Sequence, residues 1–318
     1  LASFDAAILS PMAQLRSATM RSLAGVPRVL TSLALIAAVL GLVFPSGALA
    51  ARSDLLLALL VLVTALGISF ADLRRLREHA RTVMILSLAP LPVLVGAAWL
   101  LGRPFAPLVR DGLLAVGLSS AEVASVGLVA LAGADATIAL GVVTGSLVLA
   151  SLVGPVVIGW LSGSDVHVGS AHLLGRFALV VLVPLLAGVA VRSRSTIAQR
   201  LATDEAEAVR EGVAALTVAV LVYAALSGTH GAHHLGAALV ASGAFLIVCA
   251  CLAELWRRVD APRRSAIPGA FTIAMRDFAV AAALATQAFG TAAGAVPGVY
   301  GVLMLVAGTI AAGRLSRH

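Results

Sequence analysis

Ten stretches of about twenty predominantly apolar residues follow one another along this chain, and few folds accommodate that pattern. They run over residues 28–46, 54–72, 81–101, 112–132, 136–161, 172–192, 208–227, 235–255, 265–287 and 295–313. Each is long enough to cross the hydrocarbon of a bilayer as a helix, where a helix satisfies its own backbone polar groups. The connections are short, as at Pro45-Ser46-Gly47, Gly102-Arg103-Pro104 and Ser162-Gly163-Ser164, and leave no room for a soluble domain. Composition agrees: 60% of the residues are hydrophobic and 12% charged, too apolar for a soluble domain. The expectation is an all-α integral membrane protein with one domain over residues 28–313. Residues 1–27 read as an interfacial lead-in to a retained first helix, and 314–318 as a tail.

Arginine placement predicts the orientation, because connections rich in basic residues stay on the cytoplasmic side. Seventeen arginines fall on one side: Arg16, Arg21, Arg28, Arg74, Arg75, Arg77, Arg81, Arg192, Arg194, Arg200, Arg210, Arg257, Arg258, Arg263, Arg264, Arg314 and Arg317. Three, Arg52, Arg103 and Arg110, fall on the other. Both termini are therefore expected in the cytoplasm, as an even number of spans requires. All basic residues are arginine, which suits a high-GC bacterial genome, and the expected location is the inner (plasma) membrane. The net charge of +7 sits in these short loops and predicts topology, not nucleic-acid binding.

Two spans carry charge where charge is costly. Ile267–Gly290 has Met275-Arg276-Asp277 at its middle, and Leu113–Leu131 has Glu122 at a similar depth. A lone charge there costs roughly 2.5–3.5 kcal/mol on insertion scales, so such residues face a cavity, a partner or a substrate. These are the fourth and ninth spans, each fourth in a set of five, and five is odd. The two sets, about 28–162 and 172–313, are then oppositely oriented, which predicts inverted repeats with discontinuous helices 4 and 9 crossing near the midplane. That crossing would bring Glu122 close to Arg276.

The candidate substrate-binding residues are Ser119, Ser120, Glu122, Ser125, Thr272, Met275, Arg276 and Asp277. Arg276 reads either as a built-in cation that meets an anion through its planar fork or as one half of a structural salt bridge. Glu122 and Asp277 read as proton-coupling carboxylates or as counter-ions. The hydroxyls read as ligands at the breaks or as donors to their own helices. Met275 reads as packing, and Asp135 as a cap for the fifth span. Cys249 and Cys251 read as packing residues, and Trp99, Trp160 and Trp256 as interfacial anchors. His230, His233 and His234, with Asp165, His167 and His172, offer only a weak metal-binding pattern. No HExxH, GxSxG or facing aspartate pair points to an enzyme, and neither a metal nor a cofactor is expected.

Three segments give the chain a resemblance to the bile acid:sodium symporter family. Leu66–Leu73 is similar to the family's Gly-Leu segment closing span two, and Pro184-Leu185-Leu186-Ala187-Gly188 to its Pro-x-x-x-Gly in span six. Ser125–Asp135 resembles its Ser-Asn-x-x-Thr-x-Leu-Ala-x-Gly-Asp run, and span nine falls where the family carries Glu-x-Gly-x-Gln-Asn. The resemblance implies ten helices in a panel and a core, with crossed helices 4 and 9, and sodium-coupled uptake of organic anions.

The departures bear on the ion. Ser120-Ala121-Glu122 replaces Pro-Gly-Gly, Val126 stands at the sodium-binding Asn, and Ala139 and Val143 at hydroxyl ligands. Thr272 stands for the Glu shared by both sodium sites, Arg276-Asp277 for Gln-Asn, and Pro90 lies near the family's span-three Gln. A hard cation needs several oxygen ligands, and a fixed guanidinium repels it. The expectation is a secondary transporter of a small organic anion, working in the lipid bilayer by alternating access. It would run without sodium, as a proton-coupled carrier, exchanger or uniporter. A sodium-coupled symporter, an oxyanion or metabolite exporter and a non-transporting subunit or sensor remain as alternatives. Oligomeric state stays open.

Overall fold

Each of the ten expected segments is helical in the structure, a computed structural model that describes residues 29–70, 74, 76–161, 170–194, 197, 199, 203–228, 234–260 and 263–315. In chain order the helices are α1 (Val29–Val43), α2 (Ser53–Ala65), α3 (Ala80–Leu88), α4 (Pro90–Gly102), α5 (Pro107–Leu118), α6 (Ala124–Leu131) and α7 (Ala136–Leu161). They continue as α8 (Ser170–Arg192), α9 (Asp204–Ser227), α10 (Leu235–Val259), α11 (Ala266–Ala274), α12 (Phe278–Phe289) and α13 (Ala295–Leu315). Among the described residues, six helical stretches are long and apolar enough to cross a membrane, and α1, α2 and α12 are shorter apolar helices. The molecule is a multi-pass membrane protein.

Several boundaries differ from the sequence reading for local reasons. The second span ends as a helix at Ala65, not 72. Gly67 and Ile68 then tighten into three-residue turns on Thr64 and Ala65. The third span is two helices, because Pro90 has no N–H to give to the preceding turn and starts α4 instead. The fourth begins at Pro107, five residues before the expected start. Residues 1–28 and 71–73 lie outside the described residues, and with them the interfacial lead-in.

Helix α2 packs against α8 and α9, while α10 packs against α11 and α13 and α5 against α12 and α13. Small residues permit the closest crossings, as expected where van der Waals contact drives association in lipid. A Cβ at Gly188 would lie 2.5 Å from the Cβ of Ala65 and 2.9 Å from the carbonyl of Leu62. The Pro184-to-Gly188 segment is thus where α8 meets α2. A Cβ at Gly301 of α13 would lie 2.5 Å from the ring of Phe278, the first residue of α12.

The turn between α6 and α7 is built from its sequence. Gly133, at φ +71°, follows α6, with Ala134 N–H donating to Val129 and Gly133 N–H to Ala130. Asp135 then accepts from Thr137 N–H at 2.9 Å and caps α7, as the sequence predicts.

Candidate functional site

The fourth and ninth spans are both broken at their charged residues, and the breaks touch. After Leu118 the chain turns extended at Ser119 and resumes as helix at Ala124. After Ala274 it is extended at Met275 and again at Asp277, where α12 starts. Between the two breaks lies an isolated antiparallel bridge that pairs Ala121 with Arg276. Glu122 N–H donates to the Met275 carbonyl at 3.0 Å, and Asp277 N–H to the Ser120 carbonyl at 2.8 Å.

In lipid a broken helix must find partners for each freed amide. The bridge supplies two. Ala121 N–H donates to Ser146 Oγ of α7 at 3.0 Å. Arg276 N–H donates to the hydroxyl of Tyr300 at 3.3 Å, and that hydroxyl donates on to the Ala274 carbonyl at 3.3 Å. Asp277 accepts from Ala279 and Val280 N–H at 2.9 and 3.0 Å, capping α12 with its own carboxylate. Ser146 and Tyr300 were not among the sequence candidates. The available signal was a hydroxyl in an otherwise apolar helix, and Tyr300 is one of only two tyrosines in the chain.

All eight sequence candidates are buried here, none more than 5% exposed. Three hydroxyls donate to their own chain: Ser119 to Val116, Ser125 to Glu122, and Thr272 to Pro268 and Gly269. Ser120 Oγ lies 3.5 Å from the Asp277 carboxylate. Met275 contributes its backbone carbonyl to the bridge, and its side chain packs where a Cβ of Gly308 would lie.

The expected Glu122–Arg276 contact is absent: among the described residues no ion pair joins them. The reason is the extended backbone. Successive side chains of a strand point to opposite faces, so in this bridge Arg276 shares a face with Ala121. Glu122 and Asp277 share the other. Asp277 is accordingly the charged neighbour of Glu122, whose carboxylate faces the backbone amides of Ala124, Phe278 and Val123. Arg276 has Cys249 and Tyr300 as its nearest polar neighbours, with Asp277 next. Glu122 Oε2 and Arg276 Nε are both buried without a hydrogen-bond partner.

A cavity of about 20 Å³, room for roughly one water, lies against Asp277. Leu57, Thr64, Val123, Val143 and Thr144 are among its walls, and Asp277 is its one ionisable wall residue among those described.

The resemblance raises the question of a sodium site, and the residues present do not fit one. Ala121, Ile138, Val142, Val143 and Ile273 belong to one apolar cluster that includes a bridge residue, with Val126 packed on it. Ala139 is fully buried in the neighbouring hydrophobic core. The hydroxyls of Thr272 and Ser125 donate to nearby backbone carbonyls of their own chain. Among the described residues no cluster of three acidic, histidine or cysteine side chains forms a metal site. His230, His233, Asp165 and His167 lie outside the described residues. Cys249 is buried and Cys251 exposed, both as free thiols.

The structure is that of a multi-pass helical membrane protein whose two broken helices meet at buried charges. The chain belongs to the SBF-like CPA transporter family (DUF4137), which it matches over residues 28–317. The resemblance to the bile acid:sodium symporters is borne out at that level. Among curated proteins no relative matches it.

Proposed function

We propose that the protein is a secondary transporter that carries a small organic anion by alternating access, together with a proton and without sodium. The carrying observation is the bridge, which sets Glu122 and Asp277 on one face with Asp277 at the cavity, and Arg276 on the other. Glu122 and Asp277 lie on that one face, and among the described residues neither forms an ion pair with Arg276, so they are the carboxylates placed to carry the proton. The N-terminus of α12 would attract an anion, but Asp277 already occupies it. A proton on Asp277 weakens that cap and removes the like charge, so anion and proton bind together. Arg276 supplies the fixed positive charge that the symporters draw from bound sodium. The inverted five-helix repeats supply the two faces that open in turn. Both termini lie in the cytoplasm of a bacterial inner membrane, by the arginine bias. A core locked by Glu122–Arg276, on which the non-transporting alternative rested, finds no support in the side-chain placement.

The test is proteoliposomes with a trapped pH dye, challenged in turn with small carboxylates under a pH gradient or a sodium gradient. The reading expects lumenal acidification with at least one carboxylate, independent of sodium and lost in Asp277→Asn. Uptake driven by sodium alone would overturn it.

A further inference from the structure

We propose that Asp54, Arg176 and Gln287 form a latch that closes the end of the cavity remote from the arginine-rich connections. The three come from different helices: Asp54 from the first turn of α2, Arg176 from α8 and Gln287 from the last turn of α12. The Arg176 guanidinium approaches Asp54 Oδ2 through two nitrogens, at 2.7 and 2.9 Å. Gln287 Nε2 donates to Asp54 Oδ1 at 2.8 Å. One carboxylate therefore takes both partners, which ties α12 to the α2–α8 pair.

The place of this cluster gives it a role. Leu57, one turn beyond Asp54 on α2, is a cavity wall, so the latch sits about 4.5 Å above the cavity along that helix. Gln287 lies ten residues beyond Asp277, about 15 Å along α12 from the bridge. Helix α12 thus carries the cavity carboxylate at one end and the latch amide at the other, and a movement of α12 against α2 and α8 breaks the latch. The chemistry suits a contact that must open. Arg176 is 54% exposed and Asp54 20%, so water re-solvates the ion pair at small cost. Gln287 Oε1 is buried without a partner, so the closed state leaves one amide oxygen unsatisfied.

This inference rests on the alternating-access reading, and its test separates the two. Thr64→Cys, a cavity wall, is placed in a Cys251→Ser background and labelled with a membrane-impermeant maleimide from either side of oriented vesicles. With Asp54→Asn, labelling from the latch side should rise by roughly three- to tenfold, for one exposed pair and one charge-assisted hydrogen bond. The swap Asp54→Arg with Arg176→Asp should bring it back towards the parent rate. Gln287→Leu supplies the same readout should Asp54→Asn not fold. Latch-side labelling equal to the parent in these variants overturns the latch. A rise with no matching fall on the opposite side keeps the latch and overturns alternating access.

Discussion

Glu122 and Asp277 stand on one face of the bridge between the two broken helices, and Arg276 stands on the other. Each break is extended, so neighbours in sequence are opposed in space. This arrangement leaves the buried guanidinium without an ion pair to either carboxylate among the described residues, with Asp277 the nearer of the two in its field. It leaves the cavity side acidic and the side facing Cys249 and Tyr300 basic.

Tyr300 joins the two ends of the ninth span's break, and Tyr300→Phe removes that hydroxyl while keeping the ring. The Arg276 N–H and the Ala274 carbonyl then lose a partner in a buried site. The expected cost is about 1–3 kcal/mol. A detergent melt should show the lowered midpoint, and an unchanged one would mean the hydroxyl is not the partner.

Ser146→Ala should act on the other break in the same way. It strips the acceptor from Ala121 N–H and costs about 1–3 kcal/mol. Combined with Tyr300→Phe it should deviate from additivity, since the two breaks share the bridge. A double-mutant cycle measures this, and strict additivity would show that the breaks are independent.

At Asp277 charge and cap separate. Asp277→Asn keeps an acceptor for Ala279 and Val280 N–H but cannot exchange a proton, so transport should lose its pH dependence with modest loss of stability. Asp277→Ala removes the cap as well and should cost about 0.5–2 kcal/mol. Equal melting temperatures for the two variants would remove the capping role.

Gly188→Ala sets a methyl 2.5 Å from the Cβ of Ala65 and forces α8 from α2. Overpacking of this kind costs about 1–3 kcal/mol. A companion Ala65→Gly should recover most of it, as read by the same melts.

The spans and their breaks were legible because apolar runs and buried charges are local signals. Glu122 and Arg276-Asp277 marked the breaks, and the expectation that the two breaks meet, drawn from their matched positions, agrees with the bridge between them. Their pairing was not legible, because adjacent residues lie about 100° apart on a helix but nearly 180° apart in an extended break, and the sequence does not show which the break adopts. Ser146 and Tyr300 were missed for another reason. Each lies far along the chain from the amide it satisfies, and nothing in its neighbours shows that distant need. Ser119, Ser125 and Thr272 were read as ligands or as donors to their own helices, and in the structure each hydroxyl donates to a backbone carbonyl three or four residues back.

The most direct test of the fixed-charge crossing is the thermal stability of the purified protein in sodium chloride against choline chloride at equal ionic strength. A sodium site with a dissociation constant of about 10 mM would add on the order of 1.4 kcal/mol at about 100 mM sodium. The account predicts no sodium-specific shift, because Val126, Ala139 and Val143 are packed in apolar surroundings and Arg276 already brings a positive charge. A sodium-specific rise in melting temperature would contradict it and restore sodium as the coupling ion.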